Sequence, residues 1–161
     1  MRILSVDQST RLSGYALFDD SKYVQSGIID MNKSKLTTED RSFEMAKKIW
    51  DIIDIYKPQY LILEGVQQQS NPMTMIVLAR LAGMIIGYAA AHNVQVRILL
   101  PSQWRKMLGY SQGAKVKRQE LKQQSIDYVK ANLGLDLPED ESEAVCQGIA
   151  AHKIYNFDDD L

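Results

Sequence analysis

Hydrophobic and polar positions divide the chain into short apolar runs and longer amphipathic ones. Residues 2–7 (RILSVD) are apolar and partly β-branched, the pattern of a buried strand. Residues 14–19 (GYALFD) and 23–31 (YVQSGIIDM) predict two more strands, joined across Asp20-Ser21-Lys22, so the chain opens as an antiparallel meander. After the polar residues 32–37, Thr37-Thr38-Glu39-Asp40 resembles a capping box. Met45, Ala46, Ile49, Ile52, Ile53 and Tyr56 then follow the 3.6-residue period of a helix with one apolar face, stopped by Pro58. Residues 60–63 (YLIL) predict a fourth strand ending at Glu64-Gly65. A polar loop, residues 67–71, leads to Pro72 in the first turn of a long helix. Residues 94–100 (VQVRILL) predict a fifth strand. Ser102 is expected to cap a short helix over 103–108, and a further helix runs over 116–132 to Gly134. Pro138 precedes a last helix over 139–154, and the tail 155–161 is expected to fray.

The run 73–91 stands apart, because Arg80 is its single charge. Its length permits a membrane span. The central Arg80 and the lack of a second hydrophobic segment or basic flank favour a helix buried in protein, with no membrane contact. Ala79, Gly83, Gly87 and Ala91 recur every four residues as a smooth ridge. Such a ridge admits a close neighbour, either the sheet or a second subunit.

The 161 residues predict a single domain, residues 1–161, with no internal repeat or linker. Apolar residues make up 45% and charged residues 24%, enough for one core without covalent staples. The lone Cys146 excludes an intramolecular disulfide and fits a reducing, cytoplasmic setting, as does the absence of a signal-peptide pattern. The net charge of −1 hides an uneven distribution. Arg97, Arg105, Lys106, Lys115, Lys117, Arg118 and Lys122 stand against Glu120 alone in 97–122, whereas acids dominate 136–161. A basic stretch beside an acidic one fits a protein that grips phosphates and holds cations; two solvated surfaces of opposite sign are the plainer reading.

Three placements of carboxylates point to chemistry. Asp7 ends one apolar strand and Glu64 ends another, while Asp140 and Glu143 share a face in the first turn of the last helix. If the two strands are neighbours, their acids sit side by side at one sheet edge and the helix brings in two more. Four converging carboxylates repel one another, and two Mg²⁺ or Mn²⁺ ions would balance them. A metal pair about 4 Å apart suits in-line displacement at phosphorus. Zinc is disfavoured because Cys146, His92 and His152 are scattered. Most of these acids also have a bland reading: Glu139, Asp140, Glu141 and Glu143 suit a helix N-terminus, and Asp7 suits a turn, whereas Glu64 between Leu63 and Gly65 is harder to dismiss. Trp50 is expected to pack in the core, and Trp104 to anchor the short helix.

These blocks, SVDQSTRLSGYALFD, YLILEG, the helix containing LARLAG, PSQWRKMLG and DESEAVCQGIAAH, resemble in order those of RuvC-type Holliday junction resolvases, over residues 2–153. The resemblance implies an α/β, RNase H-like fold with a mixed five-stranded sheet and helices on both faces. It implies a homodimer formed through the helix 73–91 that binds four-way DNA and nicks two opposing strands. It also implies two Mg²⁺ ions (Mn²⁺ as the alternative) per active site, held by Asp7, Glu64, Asp140 and Glu143. The family's usual Asp-x-x-Asp-Ala becomes Asp140-Glu141-Ser142-Glu143-Ala144 here, so a Glu replaces the second Asp. The family's aromatic wedge falls at Gln67, followed by Gln68 and Gln69. Amides hydrogen-bond bases or phosphates but stack poorly. The family's helix-start lysine near the scissile phosphate falls at Lys117 or Arg118. Arg105, Lys106 and Lys115 would neutralise backbone phosphates.

Two other readings remain open. The DQSTRLSGYALFD opening is similar to that of actin-like and sugar-kinase phosphotransferases, which need a second half-domain. A non-catalytic branched-DNA-binding protein would keep the basic stretch without a working metal centre.

Overall fold

A computed structural model describes residues 1–67, 71–155 and 157. Gln68, Gln69 and most of the tail expected to fray lie outside the described residues. The sheet has five strands: β1 (Arg2–Asp7), β2 (Leu12–Asp19), β3 (Lys22–Asp30), β4 (Tyr60–Glu64) and β5 (Gln95–Leu99). Their spatial order is β3-β2-β1-β4-β5. The opening meander pairs antiparallel, and β4 and β5 run parallel to β1, so the sheet is mixed. β1 is central and reads as a nearly continuous apolar run because both of its faces are covered.

Alternation along the strands divides two cores. Leu4, Val6, Leu61 and Leu63 point to α1 (Thr38–Tyr56) and α2 (Pro72–Ala91), where Met45, Ile49, Ile53, Leu81 and Ile85 are buried. Ile3, Ala16, Phe18, Tyr60 and Ile62 point to the opposite face. There α3 (Pro101–Met107), α4 (Arg118–Leu133) and α5 (Glu139–Ile154) contribute Trp104, Val129, Ala144, Val145 and Cys146.

Local chemistry sets the helix ends. The Thr37 side chain accepts from the Asp40 N–H, as the capping box predicts. Gly134 ends α4 with φ of 69°, its N–H bonding Lys130 O at 3.0 Å. Two starts differ from the sequence expectation. α3 begins at Pro101, with Leu100 as its cap and the Gln103 side chain accepting from the Leu100 N–H at 3.1 Å, so Ser102 lies inside the helix. α4 begins at Arg118 rather than 116, because a turn from Gly113 O to the Val116 N–H at 3.0 Å holds the preceding residues out of the helix. Trp50 is half-buried between α1 and α2, stacked on Tyr88 with its Nε1–H donating to Met84 O at 3.3 Å.

Candidate active site

The parity of the strands positions the first two acids. In β1 the residues facing α5 are odd-numbered, Ile3 and Ser5, so Asp7 follows on that side. In β4, Tyr60 and Ile62 face the same way and Glu64 follows them. Val6 lies opposite Leu63 in the parallel pair, which brings Asp7 and Glu64 to the same end of adjacent strands.

α5 is fixed against that end by several contacts. Ser5 Oγ donates to Ala144 O at 2.5 Å. Gly14, the partner of Asp7 across the β1–β2 ladder, lets the helix start come close: a Cβ there would lie 2.0 Å from Asp140 O. Glu141 accepts from Ser26 Oγ of β3 at 2.6 Å, and Glu139 pairs with Lys122 of α4. These two acids are thus engaged with neighbouring elements. Carboxylate oxygens of Asp7, Asp140 and Glu143 all lie within 4.8 Å of one another.

Glu64 stands beside this trio, held by different partners. The buried Trp104 donates its Nε1–H to Glu64 Oε1 at 3.1 Å. Arg105 Nη2 reaches Glu143 Oε1 at 3.3 Å and Glu64 Oε1 at 4.0 Å. Gln8 Nε2 donates to the Glu64 backbone carbonyl at 2.7 Å.

Electrostatics record the crowding. Burial holds the Asp7 carboxyl well above the usual range, and the charges of Glu143, Glu64 and Asp140 raise it further against the opposing pull of Lys122. Glu64 is also raised, chiefly by burial and then by Glu143, with the Trp104 hydrogen bond and Arg105 opposing. An all-oxygen donor set whose charges disfavour one another suits a hard divalent cation. The softer donors are engaged elsewhere. Cys146 is buried against Tyr110, its thiol pushed up to about 12 by desolvation. His92 stacks on Tyr88 with ring centroids 4.0 Å apart, and His152 meets Phe18 and Phe157 edge-on.

The acids form the floor of a cleft of about 630 Å³. Gln8, Ser9 and Thr10 wall one side, Asn71, Thr74, Val77 and Leu78 another, and Arg105, Arg118 and Lys122 supply positive charge. Arg41, buried, stiffens the polar wall by donating from Nε to Thr10 O at 3.1 Å.

Of the cations singled out in the sequence, Arg105 and Arg118 line the cleft, whereas Lys106, Lys115 and Lys117 are exposed and do not. Lys117 is the cap residue before α4; Arg118 and Lys122, one helical turn apart, share the face turned to the acids. Gln67 lines a small pocket adjoining the cleft with Gln8, Glu64 and Pro101. The sequence marks Lys122 only as part of the basic stretch, and gives no role to Gln8 or to a Trp104 contact with Glu64. The i, i+4 spacing of Arg118 and Lys122 was the one available signal for the first.

The family model for the crossover junction endodeoxyribonuclease RuvC matches residues 3–149. Curated relatives include RuvC of Hydrogenovibrio crunogenus, 28% identical over 153 residues, covering 92% of this chain and 83% of the relative. RuvC of Francisella tularensis subsp. holarctica is 30% identical over 155 residues, covering 92% and 86%. Among solved structures, Thermus thermophilus RuvC in complex with a Holliday junction substrate superposes with a TM-score of 0.74 at 15% identity, covering 98% of this chain and 95% of that one. The yeast mitochondrial Holliday junction resolvase Ydc2 gives 0.52 at 16% identity, covering 98% and 83%. Both share the fold. A mixed sheet bearing acids at adjacent strand ends, closed by a C-terminal acidic helix, and a family match over nearly the whole chain lead to one assignment: the chain belongs to the RuvC family of crossover junction endodeoxyribonucleases.

Proposed function

We propose that this protein nicks four-way DNA junctions by hydrolysing phosphodiester bonds with divalent cations held by Asp7, Glu64, Asp140 and Glu143. The observation that carries the reading is the meeting of Asp7, Asp140 and Glu143 oxygens within 4.8 Å inside a cleft flanked by Arg105, Arg118 and Lys122. Bound Mg²⁺ or Mn²⁺ would supply a more acidic water and stabilisation of the leaving oxygen. The chain's own residues do the rest. The carboxylates orient the cations. Arg118 and Lys122 face the charge that develops on phosphorus, the role the sequence divided between Lys117 and Arg118. Lys106, Lys115 and Lys117, exposed and outside the cleft lining, would neutralise flanking phosphates and make binding salt-dependent. Gln67 takes the wedge position with a hydrogen-bonding amide in place of a stacking ring. The family match over residues 3–149 outweighs the phosphotransferase reading.

The reading includes a homodimer through α2. Leu81, Ala82, Ile85 and Ala89 bury one side of that helix, while Met73, Met75 and Ile76 remain exposed on a helix apolar and long enough to cross a membrane by composition. Two-fold pairing of this surface gives two sites and two symmetric nicks. The chain acts as one domain, and the buried free thiol of Cys146 fits a reducing interior.

The test is cleavage of end-labelled four-way, three-way and linear duplex DNA with Mg²⁺, Mn²⁺ or EDTA, alongside Asp7→Asn. Paired nicks on the four-way substrate, lost in EDTA and in the variant while binding persists, support the reading. Cutting confined to linear duplex, or cutting that survives EDTA, removes it.

A further inference from the structure

We propose that Trp104 is a positioning residue for the metal centre: its indole N–H fixes one oxygen of Glu64, and its ring carries the Arg105 guanidinium that spans Glu64 and Glu143. The proposal rests on the metal-binding reading above and goes beyond it, because Trp104 touches neither substrate nor cation.

The geometry carries the assignment. Trp104 is fully buried, yet its single polar atom is satisfied by a side chain at the cleft, the Glu64 Oε1 at 3.1 Å. A buried indole N–H needs an acceptor, and most find a backbone carbonyl or water; this one is spent on a carboxylate. The Arg105 Cζ lies 4.9 Å from the indole centroid, within cation–π range. From that seat Nη2 reaches Glu143 Oε1 at 3.3 Å and Glu64 Oε1 at 4.0 Å. Arg105 Nε is buried with no hydrogen-bond partner, so stacking on the indole and the two carboxylates are what locate the guanidinium. Glu64 Oε1 therefore faces an indole donor and an arginine.

Two consequences follow from occupying Oε1. Glu64 is left with Oε2 as its freer oxygen, the one it would offer first to a cation. Glu64 is also pinned relative to the Asp7, Asp140 and Glu143 trio by a rigid ring rather than by a flexible chain. Partners that orient a ligand in this way typically change metal affinity by about 10–100-fold when removed. Phe at this position keeps an aromatic ring and loses the N–H.

The test is calorimetric Mn²⁺ binding to the DNA-free full chain, comparing wild type, Trp104→Phe and Glu64→Gln, each with its melting temperature in EDTA. The expected result is Mn²⁺ binding to Trp104→Phe weakened by about 10-fold or more. Unchanged Mn²⁺ affinity in a folded Trp104→Phe protein overturns the proposal and leaves the metal reading standing. Failure of the wild type to bind Mn²⁺ overturns both. A second measurement does not depend on that variant folding. With Trp50→Phe, Trp104 is the one remaining tryptophan. Its emission should shift on adding Glu64→Gln and should be quenched by Mn²⁺. Emission indifferent to both overturns the proposal.

Discussion

α2 and α5 invert the relation between composition and burial. α2 is the more apolar helix, yet only Leu81, Ala82, Ile85 and Ala89 among its 20 residues are buried. α5 begins with four acids in five residues, yet buries nine of its 16, including Ser142, Glu143 and Gln147. The difference lies in what each helix rests on. α5 crosses the sheet over β1, β2 and β3 and is flanked by α3 and α4, so small residues such as Ala144, Gly148 and Ala151 bring its backbone against the strands. α2 leans on α1 and β5 with one side only. Apolar composition in α2 thus sits largely at the surface, whereas polar composition in α5 sits largely inside.

The contrast can be broken most severely at the acids. Asp140→Asn or Glu143→Gln should lower the single-turnover nicking rate by about 10³-fold or more, since groups acting as one unit fail together. Junction binding measured in EDTA should hold or tighten. On the proposed pairing through α2, Met73→Ser with Ile76→Ser should leave the fold intact and shift sedimentation from dimer to monomer. Retained cutting in the α5 variants would strip that helix of its role.

Volume probes the same contrast at smaller scale. A Cβ at Gly148 would meet the Phe18 ring at 2.1 Å, so Gly148→Val should destabilise by about 1–3 kcal/mol or more, lowering the melting temperature by roughly 2–4 °C per kcal/mol. Gly83 and Gly87 meet nothing within 4 Å among the described residues. Alanine at either should stabilise dilute, monomeric protein by about 0.5–1 kcal/mol through helix propensity alone. Melting curves over a range of protein concentrations separate that gain from any loss in pairing. Destabilisation at the lowest concentration would show that α2 is already covered within the protomer.

The smallest expected effect is electrostatic. Asp7 and Glu64 titrate above the unfolded carboxylate range in the fold, so the folded state holds protons more tightly there. Their favourable contribution is present below about pH 4 and is lost as pH rises through the raised values. In EDTA, Asp7→Asn should therefore melt above wild type at pH 8, with the gap closing towards pH 4 and shrinking when Mn²⁺ is added. Equal melting temperatures at pH 8 would show that the acids do not strain the folded state.

Much of this site was legible because strand parity is a rigid rule. Asp7 and Glu64 could be placed at the ends of apolar runs from residue type alone, and Pro138 marked where the acidic helix starts. Helix phase was harder. Starting α4 two residues later turns Arg118 and Lys122 to the cleft and leaves Lys117 outside, a rotation that depends on a glycine turn with no periodic signal. The Trp104 and Arg105 contacts lie 38 to 40 residues from their partners and exist only because α3 docks beside α5. Glu139 and Glu141, indistinguishable from Asp140 and Glu143 by composition, are separated from them by Lys122 and Ser26, which no local pattern predicts.

The joining of β1 to α5 through Ser5 and Ala144 also has a temporal side. Asp140 and Glu143 leave the ribosome more than 130 residues after Asp7. A chain still in synthesis has a strand, a meander and Glu64, but no assembled cage. The grouping of Asp7, Asp140 and Glu143 is thus complete only once α5 has been made and seated against the sheet.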